Sequence, residues 1–219
     1  MSRYKENFYG LTLDSEQREF VSAILDPTAI SVFCNAKAGT GKTTLAVGAA
    51  NMLYYKKRCD GIIYLFSPVQ ESKQGFLPGT PEEKSRPYYT PLTDAMDALG
   101  IDLKCFDQLY RTNGGNSKQF KPYISAFPHT YLRGSNLRNK AIIVDECQNF
   151  DHEELKKTLT RLHDSCKIIC IGHTGQTDIS KAKSGFPAYL SSAEDQPFIR
   201  TCALSVNYRG VFSQWADSV

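Results

Sequence analysis

The sequence predicts an α/β fold, a parallel sheet with helices packed on both faces. Three observations predict it. Short apolar runs suited to buried strands recur at residues 29–34, 61–66, 141–144, 167–171 and 199–206. Helical patterns lie between or beside them, at 14–25, 42–56, 90–99, 152–162 and 211–218. A glycine-rich turn joins the first run to a helix, as a strand-loop-helix unit requires. The 219 residues suffice for one large α/β domain with a real core, read here as a single domain over residues 1–219.

Each element has a local reason. The first helix opens on Asp14 and Gln17 at capping-box spacing. The amide of Gln17 carries a donor and an acceptor, so it suits the N6 and N7 edge of adenine as well as the cap; local spacing alone favours the cap. The first strand runs into Ala36-Lys37-Ala38-Gly39-Thr40-Gly41-Lys42-Thr43, the grammar of a phosphate-binding loop. Gly39 and Gly41 let the backbone curl so that successive N–H groups face phosphate oxygens. The N-terminus of the next helix favours negative charge at the same spot. Ala38, Gly39, Thr40, Gly41, Lys42, Thr43 and Thr44 are the expected phosphate contacts, with Lys42 on the outer phosphates and the Thr43 hydroxyl on Mg²⁺. Ala36 stands where the stricter motif has its first glycine, a position that a small residue serves.

After the strand at 61–66 comes a stretch longer than a plain crossover needs. It holds Pro68, Pro78, Pro81, Pro87 and Pro91, then a polar segment at 111–121, and is read as an insertion at about 67–140 on the sheet's C-terminal side. The apolar run Ala141-Ile142-Ile143-Val144 then delivers Asp145 and Glu146. Asp145 suits Mg²⁺, through water, and Glu146 suits orienting or deprotonating an attacking water. Asp151 and Glu154 cap the helix that follows. The run at 167–171 leads to Gly172-His173-Thr174-Gly175-Gln176, where Gln176 is a candidate sensor of the γ-phosphate or its water; a plain turn with an exposed Gln is the competing reading. The last strand leads to Asn207-Tyr208-Arg209, and Arg209 is a candidate for neutralising transition-state charge, within its own chain or in a neighbouring subunit. A surface Arg at a strand end is the alternative. The expected catalytic set is therefore Lys42, Glu146, Gln176 and Arg209, and the expected metal set Thr43 and Asp145.

Composition narrows the class. Hydrophobic residues make up 41% and charged residues 22%, ordinary for a soluble globular protein. The absence of any apolar run of about 18 residues predicts no membrane span, and the polar opening Met-Ser-Arg-Tyr-Lys-Glu-Asn lacks the apolar core of a signal peptide. The net charge of +3 permits nucleic-acid contact without arguing for it. Seven cysteines, several in strand-like runs and none in a C-x-x-C pair, read as buried thiols in a reducing cytoplasm and not as a zinc site.

In these residues the chain resembles the PhoH family of phosphate-starvation-associated ATPases, relatives of the first motor domain of superfamily 1 helicases. The similarity runs from about Leu11 to Arg209. Leu11-Thr12 through Gln17 is similar to the family's adenine-reading entry, and residues 36–43 to its phosphate loop, whose usual opening Gly-Pro is here Ala36-Lys37. Ser67-Pro68-Val69, then Gly75-Phe76-Leu77-Pro78-Gly79, Glu83-Lys84, Pro87-Tyr88 and Pro91-Leu92 make the most family-specific stretch. Arg133-Gly134 before Asp145-Glu146-Cys147-Gln148-Asn149 matches in order, with Cys147 where Ala is usual. Gly172, Gln176 and Asp178 resemble the next motif, with His173 in place of the usual Asp. At the close the family's Arg-His is here Arg209-Gly210, which reads equally as the Asn-Tyr-Arg element of helicases.

The resemblance implies a RecA-like P-loop NTPase domain, ATP rather than GTP, Mg²⁺, and Gln17 as adenine reader. It leads to the expectation of an ATPase acting on or stimulated by single-stranded nucleic acid, RNA more than DNA. Candidate contacts are Lys73, Phe76, Lys84, Arg86, Tyr88, Tyr89, Lys118, Lys121, Arg133 and Arg138, through phosphate pairing and base stacking. A two-domain helicase closes its site with a second motor domain, for which 219 residues leave no room. A homo-oligomer is therefore expected, a hexameric ring being one such assembly, with Arg209 or Arg133 offered in trans. The alternative is an ATP-dependent conformational switch that recruits a protein partner; a small-molecule kinase lacks an evident lid or acceptor pocket.

Overall fold

The computed structural model describes residues 8–68, 81–115, 120–132 and 136–216. Within them run α1 (Ser15–Leu25), β1 (Ser31–Ala36), α2 (Lys42–Tyr55), β2 (Ile62–Phe66), α3 (Pro81–Ala98), α4 (Asp107–Thr112), β3 (Ile124–Pro128), β4 (Ala141–Val144), α5 (His152–Leu159), β5 (Lys167–Gly172), α6 (Phe186–Ala193), β6 (Ile199–Leu204) and α7 (Val211–Ala216). The strands form one sheet in the order β3-β2-β4-β5-β1-β6, parallel throughout.

The twofold alternation of a strand builds two cores. Val32, Cys34, Ile62, Tyr64 and Ile143 face one side with Ile24, Leu53 and Met96 of α1, α2 and α3. Their neighbours Phe33, Ile63, Ile142, Val144 and Cys170 face the other, with Leu155 of α5 and Phe186 of α6. A shift of one residue would exchange the two sets, so burial sets the register. α2 is buried continuously from Leu45 to Leu53. A helix apolar on every side belongs inside the fold, and this one is clasped by α1, α3 and the sheet. That burial anchors the loop at its N-terminus.

Several boundaries differ from the sequence reading, each for a local reason. β1 begins at Ser31, because the Asp26 side chain accepts Thr28 N–H at 2.9 Å and keeps the Pro27 turn out of the ladder. β6 stops at Leu204, because Glu16 of α1 accepts the Ser205 N–H at 2.7 Å. α3 begins at Pro81, well before residue 90, with Pro87 and Pro91 inside it. Prolines remove helical hydrogen bonds; here tertiary packing prevails, with Leu92, Ala95, Met96 and Leu99 buried. The segment expected as an insertion also supplies β3, the edge strand beside β2. Both capping boxes form as expected, on Asp14 and Gln17 and on Asp151 and Glu154.

Candidate nucleotide site

Every strand of a parallel sheet ends at one edge, so the segments after β1, β4, β5 and β6 meet there. The loop after β1 turns on Gly39 (φ 74°) and Gly41 (φ 80°), conformations natural to glycine. At Gly39 space also excludes a side chain: a Cβ would lie 2.3 Å from Asn207 Oδ1. The loop is braced from three directions. Gln17 Nε2 donates to the Thr40 carbonyl at 3.0 Å, the Thr40 hydroxyl donates to the Lys37 carbonyl at 3.0 Å, and Tyr208 N–H donates to the Gly39 carbonyl at 2.8 Å.

The acidic pair from β4 meets the first residues of α2. The Thr43 hydroxyl donates to Asp145 Oδ2 at 2.9 Å, and Lys42 Nζ lies 3.2 Å from Glu146 Oε1. Asp145 is buried, and its carboxylate also accepts the Tyr64 hydroxyl (2.6 Å) and Glu146 N–H (2.7 Å). Burial and then the Glu146 charge push its carboxyl above the usual range, against Lys42 and the Tyr64 hydrogen bond. The same burial and the facing carboxylates raise the Tyr64 phenol, so it stays a donor. Glu146 is one of the few non-glycine residues in the left-handed region (φ 51°), a conformation that costs about 1 kcal/mol or more and tends to mark functional turns.

A cleft of about 580 Å³ opens beside these groups, within the size range of small-molecule sites. Gly39, Gly41, Lys42, Thr43 and Thr44 line one end, Leu11, Thr12, Leu13 and Gln17 another, and Asp94, Ala95 and Ala98 of α3 a wall. Tyr208 and Arg209 complete it. The geometry therefore brings Arg209 to the cleft of its own chain. Gln17 serves as cap and loop brace while keeping one N–H and one lone pair for a ligand. Thr40 is buried as a brace, and neither it, Ala38 nor Gln176 lines this cleft among the described residues; Asp145 and Glu146 do not line it either and meet it through Thr43 and Lys42, which do. Gln176 lies exposed in the turn after β5. Thr43 and Asp145 offer oxygen donors only, the chemistry that Mg²⁺ prefers, and the Thr43 proton is spent on Asp145, which leaves the hydroxyl lone pairs for a cation.

Three residues with no assigned role in the sequence reading hold the site together. Gln148, 4% exposed, donates to Glu146 Oε2 and accepts His173 N–H at 2.9 Å, so it ties the acidic pair to the loop after β5. Asn149 adds a reciprocal pair with Asp178 at 2.8 and 2.9 Å. Asn207 accepts Arg209 N–H (2.8 Å) and donates to Ser213 (2.9 Å) against the phosphate loop. All three stand in the quoted motifs, but only their partners across the chain reveal what they do. Two suggested base contacts pack inward: half-buried Tyr88 stacks on Phe66 at 5.3 Å, and Tyr89, 7% exposed, lies in the core edge-on against Phe106. Arg86, Lys121 and Arg138 are exposed. Val69, Lys73, the Gly75–Gly79 segment with Phe76 and Pro78, Lys118, and Arg133-Gly134 lie outside the described residues.

A phosphate loop after β1, an acidic pair after β4 and a strand, β5, between the two define a RecA-like P-loop NTPase domain, an ATP-binding class. The chain belongs to the family described as PhoH-like protein, whose sequence model matches residues 12–209. A PhoH-like protein of Synechocystis is 35% identical over 192 residues, covering 86% of this chain and 55% of the relative. One of Bacillus subtilis is 37% identical over 172 residues, covering 77% of this chain and 50% of the relative. The chain thus spans about half the length of the curated relatives it matches. Among solved structures, the Sulfolobus solfataricus SWI2/SNF2 ATPase core in complex with dsDNA superposes with a TM-score of 0.49 at 12% identity, covering 91% of this chain and 46% of that one. No described helix is long and apolar enough to cross a membrane.

Proposed function

We propose that this chain binds ATP with Mg²⁺ in the cleft and hydrolyses it, and that single-stranded nucleic acid, RNA more than DNA, stimulates turnover. One observation carries the ATPase reading: Lys42 and Thr43 from α2 converge on Glu146 and Asp145 from β4, at 3.2 and 2.9 Å. Backbone N–H groups of the loop and the start of α2 would cradle the phosphates. Lys42 would meet the outer phosphates, and Thr43 and Asp145 would hold the metal, Asp145 through water. Bound there, Mg²⁺ would supply charge neutralisation on the phosphate oxygens. Glu146 would orient the attacking water; Gln148 steadies the carboxylate for that task. Arg209 would neutralise developing charge in cis, supported by its position in the cleft lining. Gln17 would read adenine with its spare donor and acceptor. Gln176 would sense the γ-phosphate only after its turn swings inward.

The nucleic-acid half rests on the helicase-like order of the motifs, with exposed Arg86, Lys121 and Arg138 as candidate phosphate contacts. A homo-oligomer is proposed with it. It is supported by exposed Tyr208, Val211, Phe212 and Trp215 beside the cleft, which a second copy would cover. A cytoplasmic setting is supported by six buried free thiols. The test is steady-state ATP hydrolysis with and without single-stranded RNA and DNA, for the parent, Lys42→Ala and Glu146→Gln, with light scattering for the assembly. Stimulated turnover lost in both variants supports the reading. Tight ATP binding with negligible turnover under every condition replaces it with the partner-recruiting switch, or with an enzyme that lacks its partner.

A further inference from the structure

Tyr64 stands apart from its neighbours on β2. The strand reads Ile62-Ile63-Tyr64-Leu65-Phe66, apolar throughout except for one hydroxyl. The side chain is 1% exposed and lies in the core between the sheet and the helices on the α2 side. A phenylalanine would fill the same space with no polar group to satisfy. The hydroxyl instead reaches the carboxylate of Asp145, 2.6 Å from Oδ2, the short distance of a hydrogen bond to an anion.

The lone-pair count at Asp145 gives this contact a consequence. Oδ2 accepts two hydroxyl protons, from Tyr64 and Thr43. Oδ1 accepts one N–H, from Glu146. A carboxylate oxygen offers about two acceptor sites, so Oδ2 is saturated and Oδ1 keeps one site. We propose that Tyr64 is a positioning residue for the divalent cation. It occupies the last acceptor site of Oδ2, fixes the plane of the carboxylate, and leaves Asp145 a single free acceptor site for a metal-bound water. Thr43, whose proton is committed to the same oxygen, presents only lone pairs outward. Tyr64 touches neither nucleotide nor metal; it acts through Asp145, as outer-shell partners of metal ligands do.

The inference rests on the nucleotide reading above, and the experiment separates the two. The probe is a fluorescent ATP analogue, titrated with the full chain in EDTA and then, at fixed nucleotide, with Mg²⁺. In Tyr64→Phe the Mg²⁺ concentration for half-maximal response rises about tenfold, the low end of outer-shell effects, while metal-free nucleotide affinity stays within about twofold. In Asp145→Asn the further change Tyr64→Phe adds nothing, because the residue through which Tyr64 acts is already altered. An unchanged Mg²⁺ midpoint in Tyr64→Phe overturns the inference and leaves the nucleotide reading standing. An equal loss of metal-free and metal-dependent binding also overturns it, in favour of packing alone. A parent chain that binds the analogue under neither condition overturns both.

Discussion

Gly39→Ala tests the architecture of the phosphate loop at one atom. Two costs are legible. The backbone at φ 74° is left-handed, which costs an alanine about 1–2 kcal/mol. The new methyl would also lie 2.3 Å from Asn207 Oδ1 and 2.8 Å from its Cγ, far inside contact distance. Asn207 has little freedom to retreat, since Arg209 N–H and Ser213 hold its side chain. Overpacking of this kind costs about 1–3 kcal/mol. The loop lies at the sheet edge, so it relaxes by leaving its cradle while the core stays folded. The total of about 2–5 kcal/mol therefore appears as lost nucleotide affinity, roughly 30- to 4,000-fold, with a small change in Tm. Equilibrium titration with a fluorescent ATP analogue reads the loss. The double variant Gly39→Ala/Asn207→Ala removes the collision but not the backbone strain, so part of the affinity returns and the two changes are non-additive. Parent-like affinity in Gly39→Ala, or strict additivity in the double variant, would refute the clamp.

Three other outcomes follow from the geometry. Gln148→Leu frees Glu146 and the loop after β5 from each other; kcat falls by about tenfold or more while nucleotide affinity holds, as misplacing a catalytic group does, and equal losses in both would point to general damage. Arg209→Ala lowers kcat, and mixing it with Lys42→Ala does not restore turnover, because Arg209 lines its own chain's cleft; recovery in the mixture would show an arginine supplied in trans. Lys167 is buried with its ammonium donating to the Asp26 and Ala29 carbonyls, and burial first, then Arg58, lowers its pKa from 10.5 to about 8. The folded state then holds fewer protons than the unfolded one between about pH 8 and 10.5, so this residue makes stability rise with pH across that window. The penalty is present in full below it, about 3 kcal/mol by the 1.4 kcal/mol per unit rule. Denaturant unfolding of Lys167→Met should show that slope removed relative to the parent; identical slopes would refute the assignment.

The parts of the site legible in the sequence are those whose chemistry is local. The turn at Gly39 and Gly41, the Lys42-Thr43 pair opening α2 and the two carboxylates ending β4 each need only their neighbours to be recognised. Their spacing in the chain already implied that the sheet would join them, and Thr43 does meet Asp145. The fold's central strands were legible for the same reason: a strand buried on both faces is an apolar run. The edge strand β3 was not. Ile124-Ser125-Ala126-Phe127-Pro128 is half-buried and ends in proline, so it carries no continuous apolar signal. The sequence shows α3 only from about residue 90, because its prolines speak locally against helix, while the packing of Tyr89 and Leu92 that overrides them is tertiary.

What stayed hidden has a common form: a side chain whose partner lies far along the chain. Asn207 excludes a Cβ from Gly39, Gln148 holds His173, and Tyr64 reaches Asp145. None of these groups would touch phosphate. Each limits where a group that does can stand, and the loops after β1, β4, β5 and β6 are joined through them. The loop after β6 closes on the phosphate loop by Tyr208 N–H to the Gly39 carbonyl and by Asn207. A ligand that moves Gly39 must therefore move Arg209, two residues from Asn207. The same link would let a partner that grips the exposed face of α7 alter the cleft. On this geometry, the proposed stimulation by nucleic acid and the alternative, recruitment of a protein, would act through the same link. The decisive comparison is whether Asn207→Ala abolishes stimulation while leaving basal turnover within a few-fold of the parent. Loss of both together would mean that Asn207 only supports the phosphate loop and transmits nothing.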